Sequence, residues 1–187
     1  KKLAILYGNE EYGVGFSDVL ERNVRGEVVA KESFERGASD LRTQITKIKA
    51  AKPDSIFIIS NSPDSAVAAL KQIKELGVRA AIYGSEGLKG PEVQETKQAE
   101  GLIVTSVSSG SFEFALKHRD EFEEEPGPFA AQGYDAFSAL ARTIKKGAET
   151  GEEIRGELYG MSFDGASGRI SFDLSGDVAG NYDVYQL

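Results

Sequence analysis

Short apolar runs alternating with stripes at helical spacing leave this chain few ways to fold. LAILY (3–7), EVVAKESF (27–34), SIFIIS (55–60), the stretch 80–84 and LIVTSV (102–107) each have the length of a strand. Between them, Phe16, Val19, Leu20 and Val24 recur at steps of three and four, as do Leu41, Ile45 and Ile48, and then Val67, Leu70, Ile73 and Leu76. Near-continuous apolar strands joined by amphipathic helices require a parallel sheet covered on both faces. The sequence therefore predicts an α/β fold, a Rossmann-like or flavodoxin-like sheet with helices on both sides. Beyond Val107 the pattern changes. Residues 112–124, 129–146 and 150–158 read as helices with no strand between them. The tail GRISFDLSGDVAGNYDVYQL (168–187) alternates apolar positions around a turn-rich pentad, Asp173 to Asp177, that suits a hairpin.

In an open sheet of this kind ligands gather beyond the carboxyl ends of the strands. Three loops leave strands there with small, polar or aromatic residues: residues 8–13 (GNEEYG), 60–64 (SNSPD) and 84–87 (GSEG). Ser62 stands where an N-cap belongs and Pro63 in the first helical turn, which would expose free backbone N–H groups. Taken singly, each residue also has an ordinary reading. Spacing alone favours an exposed turn residue for Glu86, a helix-start packing residue for Tyr12 and simple capping for residues 60–62. The glycine pair Gly13 and Gly15 lacks the third glycine of a dinucleotide loop, because Asp18 stands in its place.

Charge and composition exclude several functions. Thirty acidic against 22 basic residues give a net charge of -8, with no basic patch for a nucleic-acid backbone or an anionic membrane. There is no cysteine for a disulfide or a thiol nucleophile, and no apolar run approaches the ~20 residues that span a bilayer. The single histidine, His118, lies in a charged helical segment with no nucleophile beside it and reads as a surface residue. A serine-nucleophile elbow, a phosphate loop and a zinc-ligand cluster are all missing. Neither an enzyme nor a cofactor is expected.

Six phrases, taken in order, resemble a known family: NEEYGVGFSDVL (9–20), TQITKIKAAKPDSIFI (43–58), ALKQIKELGVRAAIYGSEG (69–87), AEGLIVTS (99–106), GYDAFSALARTIKKG (133–147) and GRISFDLSGDVAGNYDVYQL (168–187). The chain is similar to the periplasmic leucine/isoleucine/valine-binding proteins, type I substrate-binding proteins of ABC transporters. The resemblance implies a Venus-flytrap protein whose two lobes close on a small ligand, an amino acid or a related small zwitterion or carboxylate. It implies that residues 1–107 form the second lobe, that 108–158 return to a first lobe, and that 159–187 return as strands to the second. The first lobe and its export signal would precede Lys1.

By the same resemblance, Glu86 accepts hydrogen bonds from the ligand's α-ammonium, with Gly87 and Ser85 leaving room for its approach. Tyr12 lies along the bound ligand. Asn61 or Ser62 stands where branched-chain binders carry a tyrosine, which opens the site to a polar or larger side chain. Phe129 matches an aromatic that reaches the cleft in some members. The partners implied are the ligand and a transporter permease, with no nucleic acid, in the periplasm or at the extracellular surface. A sensory ectodomain on the same fold is the alternative. The apolar row Tyr134, Phe137, Leu140, Ala141 and Ile144 would need cover, for which exchange of the C-terminal helices in a homodimer is one arrangement.

Overall fold

The computed structural model describes residues 1–178, 180 and 182–187. By its contacts the chain divides into two compact units, residues 1–106 with 184–187, and residues 107–183.

The first unit is built on strands β1 (Lys2–Gly8), β2 (Glu27–Phe34), β3 (Ser55–Ile59), β4 (Ala81–Gly84) and β5 (Ile103–Val107), all paired in parallel. With β8 (Tyr182–Gln186) at the edge, the six-stranded order is β2-β1-β3-β4-β5-β8. Helices α1 (Glu11–Asn23), α2 (Arg42–Ala51) and α3 (Pro63–Glu75) connect the first four strands. A 3-10 turn (Glu86–Leu88) and a single helical turn, α4 (Pro91–Gln94), follow β4.

Period-two alternation along β1 sorts its side chains between two faces. Ala4 and Leu6 join Ile56 and Ile58 against the α2 and α3 stripes, where Leu41, Ile45, Ile48, Leu70 and Ile73 are buried. Leu3, Ile5 and Ile59 face the other way, onto Phe16 and Leu20 of α1 and Val24 at its C-cap. Helices therefore cover both faces, as the alternation demanded. Val19 departs from the expected stripe: it is 53% exposed, because a helix lying on a sheet buries only a narrow arc and Val19 falls beyond it. Gln72 is a polar tie inside this core. Its Oε1 accepts from Leu41 N at 2.7 Å and its Nε2 donates to Ser39 O at 2.7 Å, so α3 holds the start of α2.

The second unit contains α5 (Phe112–Phe122), α6 (Ala130–Lys145), α7 (Gly151–Tyr159) and an antiparallel hairpin of β6 (Ser162–Gly165) and β7 (Gly168–Ser171). The stretch 159–187 is thus divided: the hairpin groups with these helices, and β8 enters the large sheet. Met161, Phe163 and Ile170 pack against Ala139 of α6. Buried Asp135, also on α6, fixes the hairpin turn by accepting from Ala166 N (2.6 Å), Ser167 N (2.7 Å) and Ser167 Oγ (2.6 Å). The pentad after β7 closes as the sequence predicted, with Asp173 N donating to Asp177 O at 2.9 Å beside a Phe172–Val178 bridge. Tyr134, Phe137, Leu140 and Ile144 are exposed on α6.

Two glycines of α1 make opposite demands. A Cβ on Gly13 would lie 2.0 Å from the Gly8 carbonyl oxygen, whereas one on Gly15 would meet nothing within 4 Å. Gly13→Ala is therefore expected to lower stability by about 1–3 kcal/mol, because backbone must move. Gly15→Ala should raise it by up to about 1 kcal/mol through helix propensity. Urea unfolding of the two variants reads the contrast, and equal shifts would contradict the close approach of α1 to β1.

Candidate functional site

The strand order places a topological switch between β1 and β3, since the chain moves outward to β2 on one side and to β4 and β5 on the other. Crevices outside the carboxyl ends of such strands are where open α/β sheets bind ligands. The loops after β1, β3 and β4 all leave from that end.

Each loop is held by backbone bonds that the local sequence permits. Asn9 N donates to Phe34 O at 2.7 Å and Glu10 N to Gly8 O at 2.9 Å, which turns the chain sharply into α1. After β3 the hydroxyl of buried Ser60 donates to Ser62 O at 3.0 Å and accepts from Ser62 N at 3.1 Å. Ser62 occupies the N-cap of α3, but its side chain makes no capping bond, contrary to the capping role that the sequence suggested. Instead, Ser60 braces the loop. After β4, Ser85 N donates to Ile58 O at 3.0 Å, and Leu88 N to Ser85 O at 2.9 Å, which closes the 3-10 turn carrying Glu86 and Gly87. A Cβ on Gly87 would stand 1.8 Å from Ser60 O and 3.2 Å from Asn61 Cα. Only glycine lets the β3 and β4 loops come this near.

Three polar groups converge on this rim. The Tyr12 phenol, in the first turn of α1, is raised well above the usual tyrosine range. Burial is the main cause; the neighbouring Ser85 hydroxyl opposes it, and the carboxylates of Glu86 and Glu10 add to it. The shift favours the neutral phenol. Its ring packs on Phe16, with centroids 5.9 Å apart. The Tyr12 Oη is buried within hydrogen-bonding reach of the Ser85 hydroxyl and the Glu86 carboxylate. Glu86 is half-buried, Asn61 exposed and Ser62 buried.

Tyr12, Ser85 and Glu86 are thus brought together, with Gly87 packed on the Ser60–Asn61 backbone. Phe129 belongs to the second unit, at the N-cap of α6, in the left-handed conformation (φ 66°) and 52% exposed. Ser85 was read from the sequence as a small flanking residue. Its position directly before the glutamate marked it, but nothing in the pattern disclosed a hydroxyl buried beside Tyr12. His118 also differs from the simple surface residue expected. Its ring lies against Phe122 and Phe114, at 4.8 and 5.9 Å between centroids, and its Nδ1 is 3.0 Å from Glu124 O. Among the described residues no acid or histidine cluster could hold a metal ion, and no helix is long and apolar enough to cross a membrane.

This chain belongs to the periplasmic binding protein family, which it matches over residues 1–187, a family of binding proteins and not of enzymes. Among solved structures it is similar to the leucine-binding protein LivK of Thermotoga maritima, with 25% identity and a TM-score of 0.84 over all of this chain and 57% of that one. It is also similar to LivJ, a branched-chain amino acid transporter substrate-binding protein of Streptococcus pneumoniae solved with isoleucine. Here the identity is 26% and the TM-score 0.76, over all of this chain and 56% of that one. An extracellular ligand-binding receptor of Desulfohalobium retbaense shares 25% identity at a TM-score of 0.80, with 34% of its length covered. The chain spans a little over half the length of LivK and LivJ. No curated protein matches the sequence.

The buried phenol, loosely placed beside Ser85 and Glu86, generates a test of the rim's own energetics. A buried hydroxyl without a partner costs about 1–3 kcal/mol relative to an apolar group of the same shape. Tyr12→Phe is therefore expected to raise the thermal midpoint in the absence of ligand. A clear fall in that midpoint would mean that the hydroxyl is paired in solution.

Proposed function

We propose that this chain carries one ligand-binding lobe of an ABC-transporter substrate-binding protein, which captures an amino acid or related small zwitterion outside the cytoplasm and presents it to a permease. The observation that carries this reading is the convergence of Glu86, Tyr12 and Ser85 at the switch point of the sheet. Similarity to proteins named for leucine and isoleucine supports the ligand class.

In this reading the Glu86 carboxylate receives the ligand's ammonium. Such a charge-assisted contact is worth about 1.5–3 kcal/mol. Tyr12 lies along the ligand and donates as a neutral phenol. Gly87 keeps the turn bare beside the ligand, Asn61 and Ser62 border it from the β3 loop, and Phe129 is the further aromatic that the family resemblance assigns to the ligand. Closure between lobes would exclude water and strengthen the ammonium contact, since the same charge pair gains several-fold as the effective dielectric falls.

Calorimetry of the full-length protein with the common amino acids tests this directly. Glu86→Gln keeps shape and hydrogen-bonding reach but removes the charge. It is expected to weaken binding by about 2–5 kcal/mol, roughly 30-fold to several thousand-fold, with the circular dichroism spectrum unchanged. Equal affinity in the variant would remove the role assigned to Glu86.

A further inference from the structure

We infer that Ser60 is a positioning residue for Glu86: it touches no ligand, and it fixes the turn from which the carboxylate reaches one. The inference rests on Glu86 receiving the ammonium.

Glu86 sits between two anchors, and both come from the end of β3. On one side Ser85 N donates to Ile58 O at 3.0 Å. On the other, Gly87 is pressed against the Ser60 carbonyl, since a Cβ there would stand 1.8 Å from Ser60 O and 2.9 Å from Ser60 C. The first anchor is a strand carbonyl, which the sheet holds in place whatever the side chain. The second is not, because Ser60 lies one residue past the end of β3. Its own side chain does the holding: Ser60 Oγ donates to Ser62 O at 3.0 Å and accepts from Ser62 N at 3.1 Å. Ser62 O in turn accepts from Ala66 N at 3.0 Å, in the first turn of α3. One hydroxyl thus ties the strand end to the start of a helix, and the carbonyl that bears on Gly87 is held by that tie. Ser60 is 2% exposed, so solvent does not supply these bonds if the oxygen is removed.

Such a tie matters because a charged contact is only as good as its geometry. Binding groups need holding within about 0.5 Å of their productive position by neighbours that are themselves locked. With the Ser60 carbonyl loosened, the 3-10 turn keeps its bond to Ile58 and loses its second support. Glu86, which opens that turn, then wanders with it.

A double-mutant cycle on the full-length protein separates positioning from plain stability. The probe is leucine, or, if leucine does not bind, the common amino acid that binds most tightly. Ser60→Ala is expected to weaken binding about tenfold, within the range that coupled neighbours show. In the Glu86→Gln background the same change should cost less than about twofold, because the contact it misaligns is already gone. Ser60→Cys fills the space of serine with a much weaker hydrogen-bonding group, and it carries the cycle if the alanine variant folds poorly. A residue that only stabilises the lobe would lower the thermal midpoint and leave the affinity as it was. That result, with Glu86→Gln still weak, overturns the inference while the ammonium site stands. Equal losses in both backgrounds also overturn it. If no amino acid binds, or if Glu86→Gln changes nothing, the ammonium reading falls and takes this inference with it.

Discussion

Parallel pairing of β1 with β3, Leu3 opposite Ser55 through Tyr7 opposite Ile59, is the constraint on which the site depends. Each strand alternates apolar residues between two packed helical layers. A slip of one residue would therefore exchange Ala4 and Leu6 for Leu3 and Ile5 across the sheet, against helices shaped for the other set. With the register fixed in this way, β1, β3 and β4 end together. Their loops have no freedom to sit elsewhere, and two glycines, Gly13 against Gly8 and Gly87 against Ser60, complete the close packing. The rim is a consequence of the core.

On that rim, packing and hydrogen bonding part company. The sheet and its turns satisfy their backbone groups by regular means, and Gln72 shows the same thrift with a side chain by using both ends of its amide. Ser85 and Tyr12 follow it less completely: their buried hydroxyls lie beside each other and Glu86 in loose geometry. Poorly paired buried oxygens reduce stability, and such costs concentrate at places where function needs a group held ready.

Much of this fold was legible in the sequence because its signals were periodic. Strands of five to eight residues with helical stripes between them leave little choice of architecture, and the ordered phrases from 9 to 187 resembled a family that the whole chain matches. What periodicity missed depended on single long-range contacts. The strand β6 carries one buried apolar residue, Phe163, and its hairpin turn is fixed by Asp135, which lies 31 residues before Ala166. Ser62 has the residue type and position of a cap, yet its side chain makes no capping bond, and it is Ser60 that organises the loop. At the site, the sequence located strand tips and named Glu86 and Tyr12. It could not reveal that Ser60 bonds within its own loop whereas Ser85 faces Tyr12, because two serines at strand ends look alike until their neighbours are known.

How tightly such a rim holds a ligand is decided by what covers it. At about 4 Å, an ammonium and a carboxylate attract by roughly 1 kcal/mol in bulk water and about 4 kcal/mol at the effective dielectric of a protein surface. Glu86 is half-buried, so an open rim gives it a contact nearer the first figure than the second. The same holds for a hydrogen bond from the Tyr12 phenol: in water it merely replaces hydration, whereas in an enclosed cleft an unmade bond is a full loss. In the proposed function, affinity and discrimination would therefore rise together on closure. A substrate-binding lobe must consequently be read as one wall of a closing chamber: its residues choose the ligand's chemistry, and the closure that removes water turns that choice into free energy.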